Sequence, residues 1–358
     1  MPWYWLHPLA AHPGFGGACL ALAVLVALAV DRLWGEPPAR WHPVVWMGRA
    51  LEACGARIAP AAETQQCFKH FWLAALVWCA LAALVTIAAA ILQGVVLWLS
   101  VPAPAHPPGL DIEGVGMAGA QAVQTALVTV LTATALGLLL KPMLALAALQ
   151  GEVRAVETAL GESLQAGRAR LAWVVSREVD RLSADEVRQS AIESLAENLN
   201  DSVVAPLFWF ALAGLPGAVL YRFSNTADAM WGYPGMRGGR YWQWAGKWAA
   251  RADDVLSWLP ARLTALLLAL MAGGVPLRRL AQEARKTPSP NSGWPMAAMA
   301  LALGVRLTKP GVYQLHAAGR VPTAHDAARA QNLVSKVALA IVLIALSAIV
   351  LVVFCRGS

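Results

Sequence analysis

Between Asp185 and Asp201 the sequence reads DEVRQSAIESLAENLND, and helical spacing puts Glu193, Glu197 and Asp201 at i, i+4 and i+8 on one face. Like charges at that spacing destabilise a helix by a few tenths of a kcal/mol per pair, roughly. A divalent metal or a cationic ligand would offset this. Hard oxygen ligands suit Mg²⁺, which takes one or two carboxylates and fills its remaining positions with water and substrate phosphate. An ordinary solvated acidic face has the same spacing, so spacing alone does not decide between them. The apolar run that begins immediately afterwards favours chemistry.

Two more clusters have the same setting. YRFSNTADAMWGY brings together Tyr221, Asn225 and Asp228, the last two at i, i+3. ARADDVLSWLPAR places Arg251, Asp253, Asp254 and Arg262 around the start of another apolar stretch, with Pro260 at its mouth. Ionisable groups beside apolar segments are functional candidates because leaving them unpaired at membrane depth is costly. Mutual Asp–Arg pairing is the structural alternative, and it is compatible with catalysis. Nearer the N-terminus, DRLWGEPPARWHPVVWMGR offers Asp31, Glu36, His42 and Arg49 around the turn formers Gly35, Pro37 and Pro38. In TPSPNSGWPMAAMALALG, Asn291 precedes a helical run, where its plainer role is a cap. Phosphate-loop, dinucleotide and nucleophile-elbow patterns are absent. The five cysteines have neither zinc nor disulfide-framework spacing.

The elements that must hold these groups belong to a membrane. The 358 residues are 58% hydrophobic and 14% charged, too apolar for an ordinary soluble domain. Phe71–Val101 and Met117–Leu140 contain no charge and exceed the roughly 20 residues a spanning helix needs. Val337–Cys355 reads as a last span and Phe15–Val30 as a retained first helix, since Met1–Gly14 has no Lys or Arg. Among the sixteen Trp, those at 3, 5, 34, 41, 46, 72 and 98 sit near apolar ends, as headgroup anchors do.

Cations set the expected orientation. Ser100–Gly116 has no Lys or Arg and carries Asp111 and Glu113, so it is expected outside, with the N-terminus. Arg32, Arg40, Arg49, Arg57 and Lys69, and then Lys141, Arg154, Arg168 and Arg170, mark the cytoplasmic side. Val203–Phe223 and Ala261–Pro276 are apolar but have basic segments at both ends, and Pro206 and Gly214-Leu215-Pro216-Gly217 interrupt the first. Two broken or re-entrant segments returning to the cytoplasmic face satisfy both charge sets, as broken helices do where they line a polar cavity. Gln150–Asn200 reads as cytoplasmic amphipathic helices, with Ser183 and Glu186 as a capping pair. Without repeats or low-complexity tracts, the expectation is one all-α polytopic membrane domain over 1–358: about four full spans, two broken segments and cytoplasmic helices.

Taken in order, these segments resemble the CobD/CbiB family, the membrane-embedded adenosylcobinamide-phosphate synthases of cobalamin biosynthesis. The resemblance spans nearly the whole chain. It rests on Asp31 with Gly35-Glu36-Pro37, His42-Pro43-Val44 and Gly48-Arg49; on IESLAENLND with VVAPLFWFALAGLPGAVLYRFSNTADAMWGY; on ARADDVLSWLPAR; and on SPNSGWPMAAMALALGVRL. It implies a multi-pass protein of the cell inner membrane with its site facing the cytoplasm. That site would join adenosylcobyric acid to aminopropanol phosphate, or ethanolamine phosphate, in an ATP- and Mg²⁺-dependent amide-forming reaction on a corrinoid. Under it, Glu193, Glu197, Asp201, Asp228, Asp253 and Asp254 would supply metal ligands or a base, and Arg49, Arg251 and Arg262 would hold phosphate. Asp31, Glu36, His42, Asn198, Tyr221, Asn225 and Asn291 would bind substrate. The expected partners are the two substrates, the lipid bilayer, and a second copy or the membrane enzymes of nucleotide-loop assembly, with no nucleic acid. The chain departs from the family pattern at Glu36, at Ser176-Arg177-Glu178-Val179, at Ser202, at Ser257 and at Thr308-Lys309-Pro310. The competing readings are a catalytically weakened paralogue with a regulatory or assembly role, like the AmpE-type proteins, and a transporter, which the missing paired repeats disfavour.

Overall fold

The computed structural model describes residues 13–100 and 115–357. The uncharged runs become helices at nearly their expected bounds: α1 (Pro13–Trp34), α3 (Cys67–Leu99), α4 (Val115–Leu140) and α12 (Ala324–Gly357). Between them lie α2 (Pro43–Ile58), α5 (Leu146–Glu162), α6 (Leu164–Leu171), α7 (Ala184–Leu199), α8 (Ala205–Trp231), α9 (Lys247–Met271), α10 (Leu277–Ala284) and α11 (Gly293–Leu303). Two short antiparallel hairpins, β1 (Met236–Arg237) with β2 (Arg240–Tyr241) and β3 (Leu307–Lys309) with β4 (Tyr313–Leu315), are the only paired strands among the described residues. The protein is thus an all-α polytopic membrane protein. The loop carrying Asp111 and Glu113 lies outside the described residues, as do Trp3 and Trp5.

Six helical stretches are long and apolar enough to cross a bilayer, but they fall into two groups. In α1, α3, α4 and α12 only 22–28% of the apolar window is buried, so their surfaces face outward. The 184–231 stretch buries 61% and is largely enclosed by the others, and 247–271 buries 44%, with one face inward and one exposed. The first is folded back on itself. A straight helix would hold residues 201 and 222 about 30 Å apart, yet Arg222 Nη1 donates to the Asp201 carbonyl at 3.0 Å. The reversal sits at Gly214, whose φ of 65° and ψ of −157° are open essentially to glycine alone. At the break the Leu215 N–H loses its helical acceptor and donates instead to Gln93 Oε1 of α3 at 2.7 Å. The interruption expected from Gly214 to Gly217 is therefore a helical hairpin with a polar peg from a neighbouring span.

The second apolar segment differs in detail. α9 runs unbroken through Pro260, and the chain reverses only after it, at Gly273 and Gly274, both with positive φ. α9 begins where Trp248 packs on Phe71 and Trp78 in the first turns of α3. It ends beside Arg329 and Lys336 in the first turns of α12.

Polar contacts tie one end of the bundle together. Lys141 Nζ, after α4, pairs with Asp31 in the last turn of α1 at 3.1 Å and with Glu36 just after it at 3.0 Å. Asp31 also accepts from Ala147 N at the start of α5, Gln150 of α5 donates to Ser335 of α12, and Ala145 N donates to the Ser202 carbonyl. The segments after α1 and α4 therefore lie on one side, as their cations require. Trp34, Trp41, Trp46, Trp72 and Trp98 are exposed near helix ends, whereas Trp231 and Trp242 stack in the core. Ser183 and Glu186 form the expected capping box of α7.

Candidate functional site

The acidic row of α7 is not a solvated face. α7 is buried along most of its length, and Glu193 is almost wholly enclosed. Its partner is Arg177, from the loop before α7, with Nη2 at 2.9 Å from Glu193 Oε2 and Nη1 at 3.2 Å from Ser190 Oγ. One turn on, Glu197 and Asn198 line a cavity of about 430 Å³. Asp228 of α8 lies on the same acidic wall, and Arg177 and Lys309 supply two cations. Tyr233, Thr287, Ser289, Ser292 and Tyr313 add hydroxyls. Burial, with the charge of Glu193 second, pushes the Tyr313 hydroxyl well above its ordinary range, so it stays protonated and able to donate.

Behind the acidic wall α7 passes through a single π-turn, Asn200–Val204, before continuing into α8. Such turns widen a helix by one residue and recur at functional sites. Here Asn200 donates to Asp201 Oδ1 at 2.8 Å and accepts from Thr264 of α9 at 3.1 Å. The folded-back arm of α8 brings the Tyr221 hydroxyl to 3.4 Å from Asp201 Oδ1 and 3.1 Å from Ser257 Oγ. Ser257 in turn reaches Asp253 Oδ2 at 3.4 Å. Arg222 Nη1 donates to the Asp201 carbonyl, Ser202 Oγ and Asn225 Oδ1. Asp253 lies within electrostatic reach of Asp201, Asp228 and Asp254, and its Oδ1 is buried with no hydrogen-bond partner. Clustered carboxylates with an orphaned oxygen are satisfied by a shared proton or by a bound cation.

The structure thus brings together Glu193, Glu197, Asn198, Asp201, Tyr221, Asn225, Asp228 and Asp253 from three separate sequence motifs. Among the described residues no three His, Cys, Asp or Glu side chains are placed to hold a metal ion by themselves. Of the carboxylates expected as metal ligands, Glu197 and Asp228 line the cavity, whereas Asp201 accepts from Asn200 and Tyr221 and Asp254 pairs with Arg251.

The other candidates do not line the cavity, although Glu36 lies within electrostatic reach of Arg222 behind it. Asp31, Glu36 and His42 belong to the Lys141 network at the helix ends, with His42 Nε2 at 3.0 Å from Glu36. Burial opposes the charge on Glu36, but hydrogen bonds with His42 and Lys141 outweigh it and hold the carboxyl below its usual range. Arg49 is exposed on α2. Arg251 is exposed and paired with Asp254 at 3.2 Å. Asn291 is buried between Arg262 Nη1 and the Asp254 carbonyl, both at 2.7 Å, so it ties its loop to α9. Arg262 lies across that loop from the main cavity. None of the three arginines expected to hold phosphate lines the cavity, because each sits on an outward face of its helix or beyond the loop. Arg177 and Lys309 occupy that position instead. Sequence reasoning met both only as departures from a family pattern. Arg222, a lone charge inside an apolar run, was the one omission the sequence signals by itself. Gln93 gave no signal in a span of otherwise unremarkable composition.

A model of the CobD/CbiB protein family matches residues 24–344. The chain is 39% identical over 306 residues to a probable cobalamin biosynthesis protein CobD of Thermococcus kodakarensis, covering 86% of this chain and 88% of that protein. It is 38% identical over 329 residues to the cobalamin biosynthesis protein CobD of Chromobacterium violaceum, covering 88% and 92%. It is 36% identical over 298 residues to a probable CobD of Methanothermobacter thermautotrophicus, covering 82% and 85%. No solved structure matches the chain.

Proposed function

This chain belongs to the CobD/CbiB family and serves cobalamin biosynthesis, and we propose that it is an ATP-dependent adenosylcobinamide-phosphate synthase. It would form an amide between a carboxylate of adenosylcobyric acid and the amine of aminopropanol phosphate or ethanolamine phosphate. The observation that carries this reading is the two-signed cavity: Glu197 and Asp228 on one wall, Arg177 and Lys309 on another. An amino alcohol phosphate is itself two-signed, with an ammonium at one end and a phosphate at the other. The cations suit its phosphate and the carboxylates its ammonium.

A carboxylate is a poor acyl donor, so it must be activated before an amine can attack it. The corrinoid carboxylate oxygen attacks the γ-phosphorus of ATP, the bond to the β-phosphate oxygen breaks, and ADP leaves. The amine then attacks the acyl carbon, the carbonyl–phosphate bond breaks, and inorganic phosphate departs. The amine must first lose a proton, and Asp228 or Glu197 would receive it. Arg177 is held in place by Glu193 and Ser190 and, with Lys309, neutralises phosphate charge without reorganising. Tyr313 stays protonated, and its hydroxyl, which donates to Met296 Sδ at 3.7 Å, would turn to a substrate oxygen. Bound Mg²⁺ would supply charge neutralisation on the nucleotide phosphates. The cations around it favour a site facing the cytoplasm, and family membership favours the cell inner membrane.

Calorimetric titration with aminopropanol phosphate tests the two-signed assignment. Glu197→Gln and Lys309→Gln are each expected to weaken binding at least tenfold, the scale of one charge-assisted hydrogen bond at about 1.5–3 kcal/mol. Unchanged affinity in both would remove this cavity as the amine site.

A further inference from the structure

A second cavity of about 590 Å³ lies on the far side of the 287–289 loop. Thr287, Pro288 and Ser289 line both cavities, so this loop is a partition between them. On the far side the guanidinium of Arg262 sits between two indole rings, 4.5 Å from the centroid of Trp258 and 4.9 Å from that of Trp294. Its hydrogen bonds go to neutral acceptors: the Trp258 and Pro290 carbonyls and Asn291 Oδ1. Arg285 lines the same cavity and is exposed. The nearby acids are already committed, Asp254 to Arg251 and Glu283 to Lys286. Among the described residues, neither Arg262 nor Arg285 has a carboxylate at ion-pairing distance. Two cations therefore face one cavity without an anion.

The surroundings identify the anion's class. Val255, Trp258, Leu259, Leu266 and Leu270 form an exposed apolar stripe along α9. Trp258 belongs to both stripe and cavity, so the cavity opens onto apolar surface. Arg278 and Arg279 are exposed on α10, the helix that leads to Arg285. An apolar stripe ending at tryptophans and uncompensated arginines is how a protein meets the headgroup layer. Arg262 already fills the space between the two rings, which leaves no slot there for a stacked nucleotide base.

We propose that this cavity seats the headgroup of an anionic phospholipid, with its phosphate on Arg262 and Arg285 and its acyl chains along the α9 stripe. The occupant would rest against the 287–289 loop and brace one wall of the catalytic cavity from behind. The site is independent of the chemistry proposed above, since none of its cations lines that cavity.

The test uses the full chain in phosphatidylcholine nanodiscs containing spin-labelled phosphatidylglycerol or, in a matched set, spin-labelled phosphatidylcholine. The motionally restricted fraction should be larger for phosphatidylglycerol. Arg285→Gln should lower that selectivity about fivefold, the effect of one cation at a membrane surface, and Arg285→Lys should restore most of it. Arg262→Gln should lower it too, but Arg262 also clamps the loop, so Arg285, which makes no clamp, decides the matter. Equal restriction of the two lipids, or selectivity unchanged in Arg285→Gln, would overturn the proposal. Release of the labelled lipid by excess inorganic phosphate at constant ionic strength would make this a soluble-phosphate site and overturn it as well.

Discussion

Replacing Gly214 by Ala should unfold the hairpin that carries Tyr221, Arg222, Asn225 and Asp228 into the site. Two penalties act together. The backbone at φ 65° and ψ −157° lies in a region costing a side-chain-bearing residue about 1–3 kcal/mol. The added Cβ would also meet Gln93 Oε1, the atom that accepts the Leu215 N–H. Displacing that oxygen leaves a buried donor unpaired, at about 1–3 kcal/mol. The sum, about 2–6 kcal/mol, is a large part of a typical domain's stability. Gly94→Ala is the control, because it sits in the adjacent helical position with open space around its Cβ, and it should be neutral or stabilising by up to about 1 kcal/mol. Thermal unfolding of the purified variants in one detergent measures the difference. Gln93→Ala combined with Gly214→Ala should cost less than the sum of the single changes, since both remove the same hydrogen bond. A stable Gly214→Ala protein, or strict additivity, would refute the peg-and-break account of the hairpin.

Asp253→Asn and Glu197→Gln should each abolish turnover while leaving the unfolding temperature within a few degrees of wild type; normal rates in both would remove the acidic wall from the chemistry. Glu36 has a pH signature outside the site. Its folded carboxyl is held below the ordinary value, so the stability it contributes is present above the unfolded pKa of about 4.3 and is lost as pH falls through the folded one. Glu36→Gln should therefore flatten the acid limb of the stability profile, and an unchanged limb would mean that the Lys141 network carries no such linkage. Gly238, at the tip of the exposed β1–β2 hairpin, tests sidedness in a background with the five native cysteines replaced. A cysteine there should react in intact cells only with membrane-permeant reagents. Labelling by an impermeant reagent would put the hairpin outside and break the shared-face topology.

Much of the fold was legible because a bilayer imposes length and charge rules that act locally. α3 and α4 start and end within a few residues of their uncharged runs, and the Gly-Pro interruption at 214–217 marked the break itself. The capping box of α7 was legible for the same reason, since Ser183 and Glu186 meet within one turn. The second apolar segment was harder: basic segments at both ends suggested a broken or re-entrant helix over 261–276, but α9 runs unbroken to Met271 and the chain reverses only at Gly273 and Gly274. In the site, carboxylates were readable from helical spacing and their apolar setting. Their counter-cations were not, because Arg177 reaches Glu193 across 16 positions and Lys309 arrives from a hairpin more than 100 residues later. Arg262 and Asn291 illustrate the converse. Residue type suggested ligand binding, whereas their hydrogen bonds to each other and to the 290 and 254 carbonyls show a loop clamp.

The central claim is that the two-signed cavity forms an amide on a corrinoid. Purified protein in lipid nanodiscs, incubated with adenosylcobyric acid, ATP, Mg²⁺ and aminopropanol phosphate or ethanolamine phosphate, should yield a product whose mass equals the two substrates less one water, with stoichiometric ADP. It should yield none without ATP or with Glu197→Gln. Failure to form an amide from either amine, while a control synthase does so under the same conditions, would contradict the claim.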